Sequence, residues 1–189
     1  MLREVGMSDE LLVVRCQLGE RDAFAELVRE WHGAVERYVT RMLGRGDDDV
    51  VQEVWLAVVK GLPRLREPER FAPWLFTIAR RAVMNRLREA YAPTAEPLDQ
   101  PQPTSGRGIS TPVWEPPASE AVVDREAMAG ALAALPARER EVLLLFYLED
   151  LPLDACAQIC GVPVGTIKSR LHRARRLLRE ELTREGYEA

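Results

Sequence analysis

The 189-residue chain holds only three cysteines (Cys16, Cys156, Cys160) and two histidines (His32, His172). Thiols this few and this scattered do not form a disulfide framework. Cys156 and Cys160 are four apart and could supply two metal ligands from one helix face. No further cysteine or histidine stands close in sequence to complete a site, so small buried core thiols are the simpler reading, and no metal is expected. No apolar run approaches the ~20 residues a membrane helix needs, so no membrane insertion is expected. The opening MLREVGMSDE has no apolar signal core, which points to a cytoplasmic protein. Alternating strand patterns and internal repeats are missing. So are GxSxG, Walker, HExxH and EF-hand patterns; the chain is not read as an enzyme and no cofactor is expected. Net charge is −4, which excludes a uniformly basic coat but not local basic patches. With 47% hydrophobic and 30% charged residues, a core-forming chain is expected.

What the chain has is unevenly placed. Seven of its 13 prolines (Pro93, Pro97, Pro101, Pro103, Pro112, Pro116, Pro117) fall in one stretch together with Gly106 and Gly108. Proline removes a donor and restricts its predecessor, so no helix should run through. A loop that long inside one domain would be unusual. The expectation is an all-α chain of two small helical domains, 1–91 and 120–189, joined by a flexible linker at 92–119. Charge is segregated in step. Between Lys60 and Glu89, eight basic residues face three acidic ones; between Val164 and Arg184, seven face two. From Ala90 to Gly130, across the tether and its flanks, Glu96, Asp99, Glu115, Glu120, Asp124 and Glu126 stand against Arg107 and Arg125. Two basic surfaces flank an acidic leash.

The local signals are helical. Ser8 and Asp9 can cap a helix that Gly19 stops. Asp22 can open a longer one ending at Gly44. Asp47, Asp48 and Asp49 suit the positive end of the next helix dipole, and that helix ends near Gly61. A loop, Leu62–Arg70, leads to a helix from about Phe71 to Glu89. Pro136 fits the first turn of AREREVLLLFYL.

LDACAQIC, then Gly161, then a helix starting near Val164 or Gly165, forms a helix-turn-helix pattern. On a wheel of about 100° per residue, Val164, Ile167, Leu171, Ala174 and Leu178 gather inward. Ser169, His172, Arg173 and Arg176 point outward, with Lys168, Arg170, Arg175 and Arg179 at the rim. A major groove admits one helix, arginine grips guanine edges with two bonds, and flanking cations hold phosphates. A solvated basic face is the bland alternative; the preceding short helix and turn favour DNA.

VPVGTIKSRLHRARRLL resembles the end of region 4 of bacterial sigma factors of the extracytoplasmic-function group, and ALAALPAREREVLLLFYLEDLPLDACAQICG resembles the stretch before it. The resemblance implies a helix-turn-helix sigma region 4 that reads the −35 promoter element. Lys168, Ser169, His172 and Arg173 would be its base readers. Thr166, Arg170, Arg175 and Arg176 would be its phosphate contacts. Ala155 and Cys156 stand where Glu-Ile is common, which weakens an expected contact of the first helix.

The N-terminal half agrees. DDDVVQEVWLAVV looks like region 2.2, which implies docking on the β′ clamp helices of core RNA polymerase through Asp49, Gln52, Glu53 and Trp55. An acidic, amide-bearing face with an exposed aromatic can pair with a basic partner helix; a capped amphipathic helix with Trp55 in the core is the alternative. FAPWLFTIARRAVMNRLR resembles regions 2.3 and 2.4, which implies opening of the −10 element. Independently, Arg70, Trp74, Thr77, Arg81, Asn85 and Arg88 recur at helical spacing as one stripe of cations, amide, hydroxyl and aromatic. Such groups hold a backbone and stack on unpaired bases. The loop Leu62–Arg70 would wall the pocket. Trp74 could instead sit in the core with Phe71, Leu75 and Ile78. Arg81 stands where the family often has Asn, implying an altered −10 preference.

The resemblance implies an alternative sigma factor whose partners are core RNA polymerase (β′ clamp helices and β subunit), promoter DNA and an anti-sigma protein, with the tether lying in the polymerase cleft. The rivals are a free-standing helix-turn-helix transcriptional regulator and a sigma-like adaptor that only sequesters another protein.

Overall fold

The computed structural model describes residues 7–91 and 125–187, and every regular element among them is a helix. The expected linker, 92–119, lies outside the described residues. Four helices form the first half: α1 (Met7–Gln17), α2 (Arg21–Leu43), α3 (Asp48–Gly61) and α4 (Phe71–Tyr91). Two short 3-10 turns, Leu62–Arg64 and Pro68–Arg70, stand between α3 and α4. The second half has α5 (Arg125–Ala134), α6 (Ala137–Leu143), a π-helical segment Leu144–Leu148, α7 (Leu153–Cys160) and α8 (Val164–Arg184).

The stop and start signals act as their chemistry dictates. Gly44 ends α2 at φ 74°, a left-handed conformation that glycine adopts without a Cβ penalty. The Asp47 side chain accepts from the Val50 amide at 3.2 Å and caps α3. Asp9 departs from expectation. The helix already begins at Met7, so Asp9 does not cap it; its carboxylate accepts the Trp31 indole N–H of α2 at 3.2 Å. A buried indole donor needs a partner, and Asp9 supplies it.

α2 is the axis of the first half. Ala23, Leu27, Trp31, Ala34, Val35, Tyr38, Val39 and Met42 are buried along one stripe. Trp31 meets Phe71 and Phe76 edge to face, and Tyr38 meets Phe76 in the same way. In the second half Val142, Leu144 and Leu145 pack with Ile159, Ile167 and Leu171. The apolar run after Pro136 is not one regular helix. It widens into the π segment, and the chain then leaves through Asp150 at φ 53°. A widened turn shifts the facing of the residues beyond it, and Tyr147 is left exposed.

The halves meet along α4 and α7, with α2 touching α5 and α6. Polar groups join them. Glu141 of α6, fully buried, accepts from Arg80 of α4 at 2.8 Å and from the Tyr38 hydroxyl at 3.2 Å. Arg140 donates to the carbonyls of Arg41 and Met42 at 3.3 and 3.0 Å, at the negative end of α2. Arg37 faces Glu149 at 3.7 Å.

Candidate nucleic-acid interface

The helix-turn-helix is built from three local facts. Gly161 takes φ 66°, so α7 ends without strain. The Val162 amide then reaches back to the Ala157 carbonyl at 3.1 Å and closes the turn. Pro163 precedes α8, where its missing N–H costs nothing. Ile167, Leu171 and Ala174 are buried, as the wheel requires, which turns Lys168, Ser169, His172, Arg173 and Arg176 to solvent. Val164, expected inward, is exposed, because it sits in the first turn beyond the reach of the core.

The outer face of α8 is basic and lightly tied. Arg173 lies 3.4 Å from Glu139, Arg176 pairs with Glu180 at 2.9 Å, and Ser169 donates to the Thr166 carbonyl at 2.9 Å. The Arg176–Glu180 pair is exposed, so it is worth little and exchanges readily for phosphate, whereas Glu139, the partner of Arg173, is largely buried. Thr166 and Arg170 are half-buried at the rim. Arg175 is placed differently from expectation. Its Nε is buried and its guanidinium stands 6.0 Å from the Tyr147 ring centre. It therefore lines an apolar groove of about 540 Å³ with Leu132, Leu144, Leu148, Leu178 and Leu182, rimmed by Arg41 and Arg179.

The second basic surface runs along α4. Trp74, Thr77, Arg81, Asn85 and Arg88 lie on the helix, but Arg70 ends the 3-10 turn before it. Arg70 pairs with Glu67 at 3.1 Å. Arg81 and Arg88 are exposed, and Arg88 donates to Asn85 Oδ1 at 2.7 Å. The Thr77 hydroxyl turns onto its own helix, donating to the Pro73 carbonyl at 2.8 Å. Trp74 is half-buried; it tilts against Phe71, and its ring lies over Gly61 so closely that a Cβ there would come within 2.8 Å. One edge of the indole thus belongs to the core and the rest to the surface. Exposed Arg64 and Arg66 extend the basic surface along the Leu62–Arg70 loop.

The third surface is on α3. Asp49, Gln52 and Glu53 are exposed on one face. Trp55, expected as the exposed aromatic of that face, is buried instead, edge-on to Phe24 and stacked near His32. The exposed apolar members are Leu56 (53% exposed) and Val59 (50%), which continue the face of Asp49, Gln52 and Glu53 at helical spacing. Sequence reasoning missed them, although positions 49, 52, 53, 56 and 59 gave the signal. Asp47 ties this helix to α4 by accepting from Arg86 at 2.9 Å. Burial opposes its ionisation, but the bonds from Arg86 and the Val50 amide outweigh that and hold the carboxyl below its ordinary range.

Cys156 and Cys160 are buried thiols in the second half, while Cys16 of α1 is half-buried. Burial pushes Cys156 up to about 11 and Cys160, beside Glu141, higher still. Neither is a thiolate at neutral pH. Among the described residues no group of three or more His, Cys, Asp and Glu could hold a metal ion, and no helix is long and apolar enough to cross a membrane.

Comparison with known proteins bears on both halves. The family described as "Sigma-70 region 2" matches residues 27–92, and that described as "Sigma-70, region 4" matches residues 125–178. Helix α1 precedes the first matched residue. The chain is 30% identical over 172 residues to the ECF RNA polymerase sigma factor SigW of Bacillus subtilis, spanning 87% of this chain and 91% of the relative. It is 30% identical over 186 residues to the ECF RNA polymerase sigma-E factor of Haemophilus influenzae, spanning 93% and 96%. Among solved structures, CnrH in complex with the cytosolic domain of CnrY superposes with a TM-score of 0.65 at 22% identity, over 96% of this chain and all of that one. The sigma factor RpoE in complex with the anti-sigma factor NepR from Bartonella quintana gives 0.64 at 24%, over 85% and 96%.

Proposed function

This chain belongs to the extracytoplasmic-function group of the sigma-70 family and is an alternative RNA polymerase sigma factor; on that premise we propose how its surfaces divide the work. Sigma factors are initiation factors, so nucleotide chemistry falls to the polymerase. Residues 1–91 form the unit that binds core enzyme and opens the −10 element, 92–119 the tether, and 120–189 the unit that reads the −35 element. The free-standing regulator reading is not favoured, since it leaves the region 2 match without a role.

The observation that carries the −35 assignment is the outer face of α8, where Lys168, Ser169, His172 and Arg173 project from a helix fixed by Ile167, Leu171 and Ala174. These four read base edges; Thr166, Arg170 and Arg176 hold phosphates around them. On α4 and its preceding turn, Arg70, Arg81 and Arg88 hold the −10 backbone. The exposed part of Trp74 and the Asn85 amide meet unpaired bases. On α3, Asp49, Gln52 and Glu53 with Leu56 and Val59 dock on the β′ clamp helices: apolar side chains at the centre, acids and amide at the rim, suit a basic amphipathic helix.

The groove under Tyr147 has an apolar floor and arginines at its edge. It suits an amphipathic helix with an acidic flank, either from the β subunit or from an anti-sigma protein of the kind bound to the Bartonella relative. Transcription with core polymerase tests the whole assignment. Arg173→Ala should abolish −35-dependent initiation while the chain still binds core; retained initiation would remove the −35 assignment.

A further inference from the structure

The loop between α3 and α4 is the wall of the proposed −10 site, and loops of this kind are ordinarily the soft part of a surface. This one is held from behind. Gln17, the last residue of α1, donates through Nε2 to two backbone carbonyls in it, Leu62 at 3.0 Å and Leu65 at 2.7 Å. Those are the two ends of the 3-10 turn Leu62–Arg64, across which the Leu65 amide closes onto the Leu62 carbonyl at 3.1 Å. Leu62 is buried and Leu65 packs on the core, so the loop's inner side is anchored. Its outer side presents Arg64, Arg66 and Arg70 to solvent. The same turn comes directly after Gly61, on which the Trp74 ring rests.

A primary amide has two N–H donors, and here both carbonyls lie within bonding distance of the one nitrogen. The contact spans 45 and 48 residues of sequence, so it is not a by-product of local helix geometry. Both bonds go to backbone, and the arginines of the loop stay turned to solvent. From this geometry we infer that Gln17 is a positioning residue for −10 recognition: it fixes the backbone from which Arg64 and Arg66 are presented and on whose Gly61 end the Trp74 ring rests, so that the base-capturing pocket is shaped before DNA arrives. Capturing a base costs a few kcal/mol of unstacking. A wall already in place adds no ordering cost to that step. The inference rests on the assignment of −10 recognition to α4 and this loop. Gln17 lies outside the residues matched by the region 2 family.

The test uses holoenzyme assembled from core polymerase and the full chain, on a duplex promoter carrying a −10 base analogue that fluoresces when unstacked. Gln17→Glu keeps shape but sets a carboxylate against two carbonyl oxygens. Gln17→Met keeps length and removes the donors without repulsion. Trp74→Ala is run in parallel. Opening should slow about tenfold in Gln17→Glu, the size expected for losing net bonding of this kind, and less in Gln17→Met. In both, discrimination between −10 bases should flatten while affinity for core is unchanged. Wild-type opening and base preference in both Gln17 variants, with Trp74→Ala impaired, would overturn the inference alone. Normal opening in all three would overturn the −10 assignment with it. A drop in core affinity matching the drop in opening would mean general damage to the fold, and would equally overturn a positioning role.

Discussion

Arg80 on α4 donates through Nε to Glu141 on α6 at 2.8 Å, and the two are unequally buried: the carboxylate is 0% exposed, the guanidinium side chain 29%. The inequality sets how the pair responds to mutation. A buried charge that loses its partner cannot rehydrate, whereas a partly exposed one can. Arg80→Met should therefore cost about 3 kcal/mol, since it strands Glu141 with only the neutral Tyr38 hydroxyl and Cys160 thiol. Adding Glu141→Leu should recover most of that loss. Urea unfolding of the single and double variants measures both; a double variant no more stable than Arg80→Met would refute the reading.

The same carboxylate makes stability depend on pH. Burial pushes Glu141 above its ordinary value of 4.5, against the pull of Arg80 and the bond from Tyr38. The folded chain thus holds this proton more tightly than the unfolded one. The resulting stabilisation is fully present below about 4.5 and is lost as pH rises through the raised value. The stability difference between wild type and Glu141→Gln should fall as pH climbs from 4.5 toward neutrality. A difference that widens over that window would contradict the direction.

Gly61→Ala tests the seat of Trp74. Its backbone is ordinary right-handed helix, φ −93°, so the penalty is purely steric. The new methyl would stand 2.8 Å from the indole Cζ2. The ring has to move, at a cost of about 1–3 kcal/mol. Tryptophan fluorescence should shift, and opening of the −10 element should slow while −35 binding is kept.

Leu56→Asp and Val59→Asp probe the α3 face. Both side chains are about half exposed, so folding should change by no more than about 0.5 kcal/mol. Core binding should fall by about tenfold or more, as for a central apolar contact. Pull-down with core polymerase beside a thermal melt separates the two effects; unchanged binding would move the docking face elsewhere.

These residues also show what is legible in the sequence alone. Gly44 and Gly161 act through their own backbone and Asp47 through a side-chain bond to an amide three residues on, so the ends of α2 and α7 and the start of α3 can be read from the chain. The buried stripe of α8 follows from spacing alone, and with it the outward set Lys168, Ser169, His172 and Arg173. Partners distant in sequence leave no such mark. Glu141 reads as the last of four consecutive charges, Arg138 to Glu141, until Arg80, 61 residues earlier, is brought beside it. Arg175 reads as another rim cation until the π segment swings Tyr147 under it. Trp55, by contrast, shares one apolar stripe at helical spacing with Val50, Val51, Val54 and Val58, which points its ring inward. Gln17 is one more polar helix-end residue until the loop folds back over it.

The central claim is that this chain, joined to core polymerase, chooses where transcription starts by reading two promoter elements with α4 and α8. Transcription of a genomic fragment library by bacterial core enzyme, with and without the chain, followed by mapping of 5′ ends, tests it most directly. The account predicts new, discrete start sites sharing paired upstream motifs, and their loss with Arg173→Ala. The same distribution of 5′ ends in both reactions would contradict it.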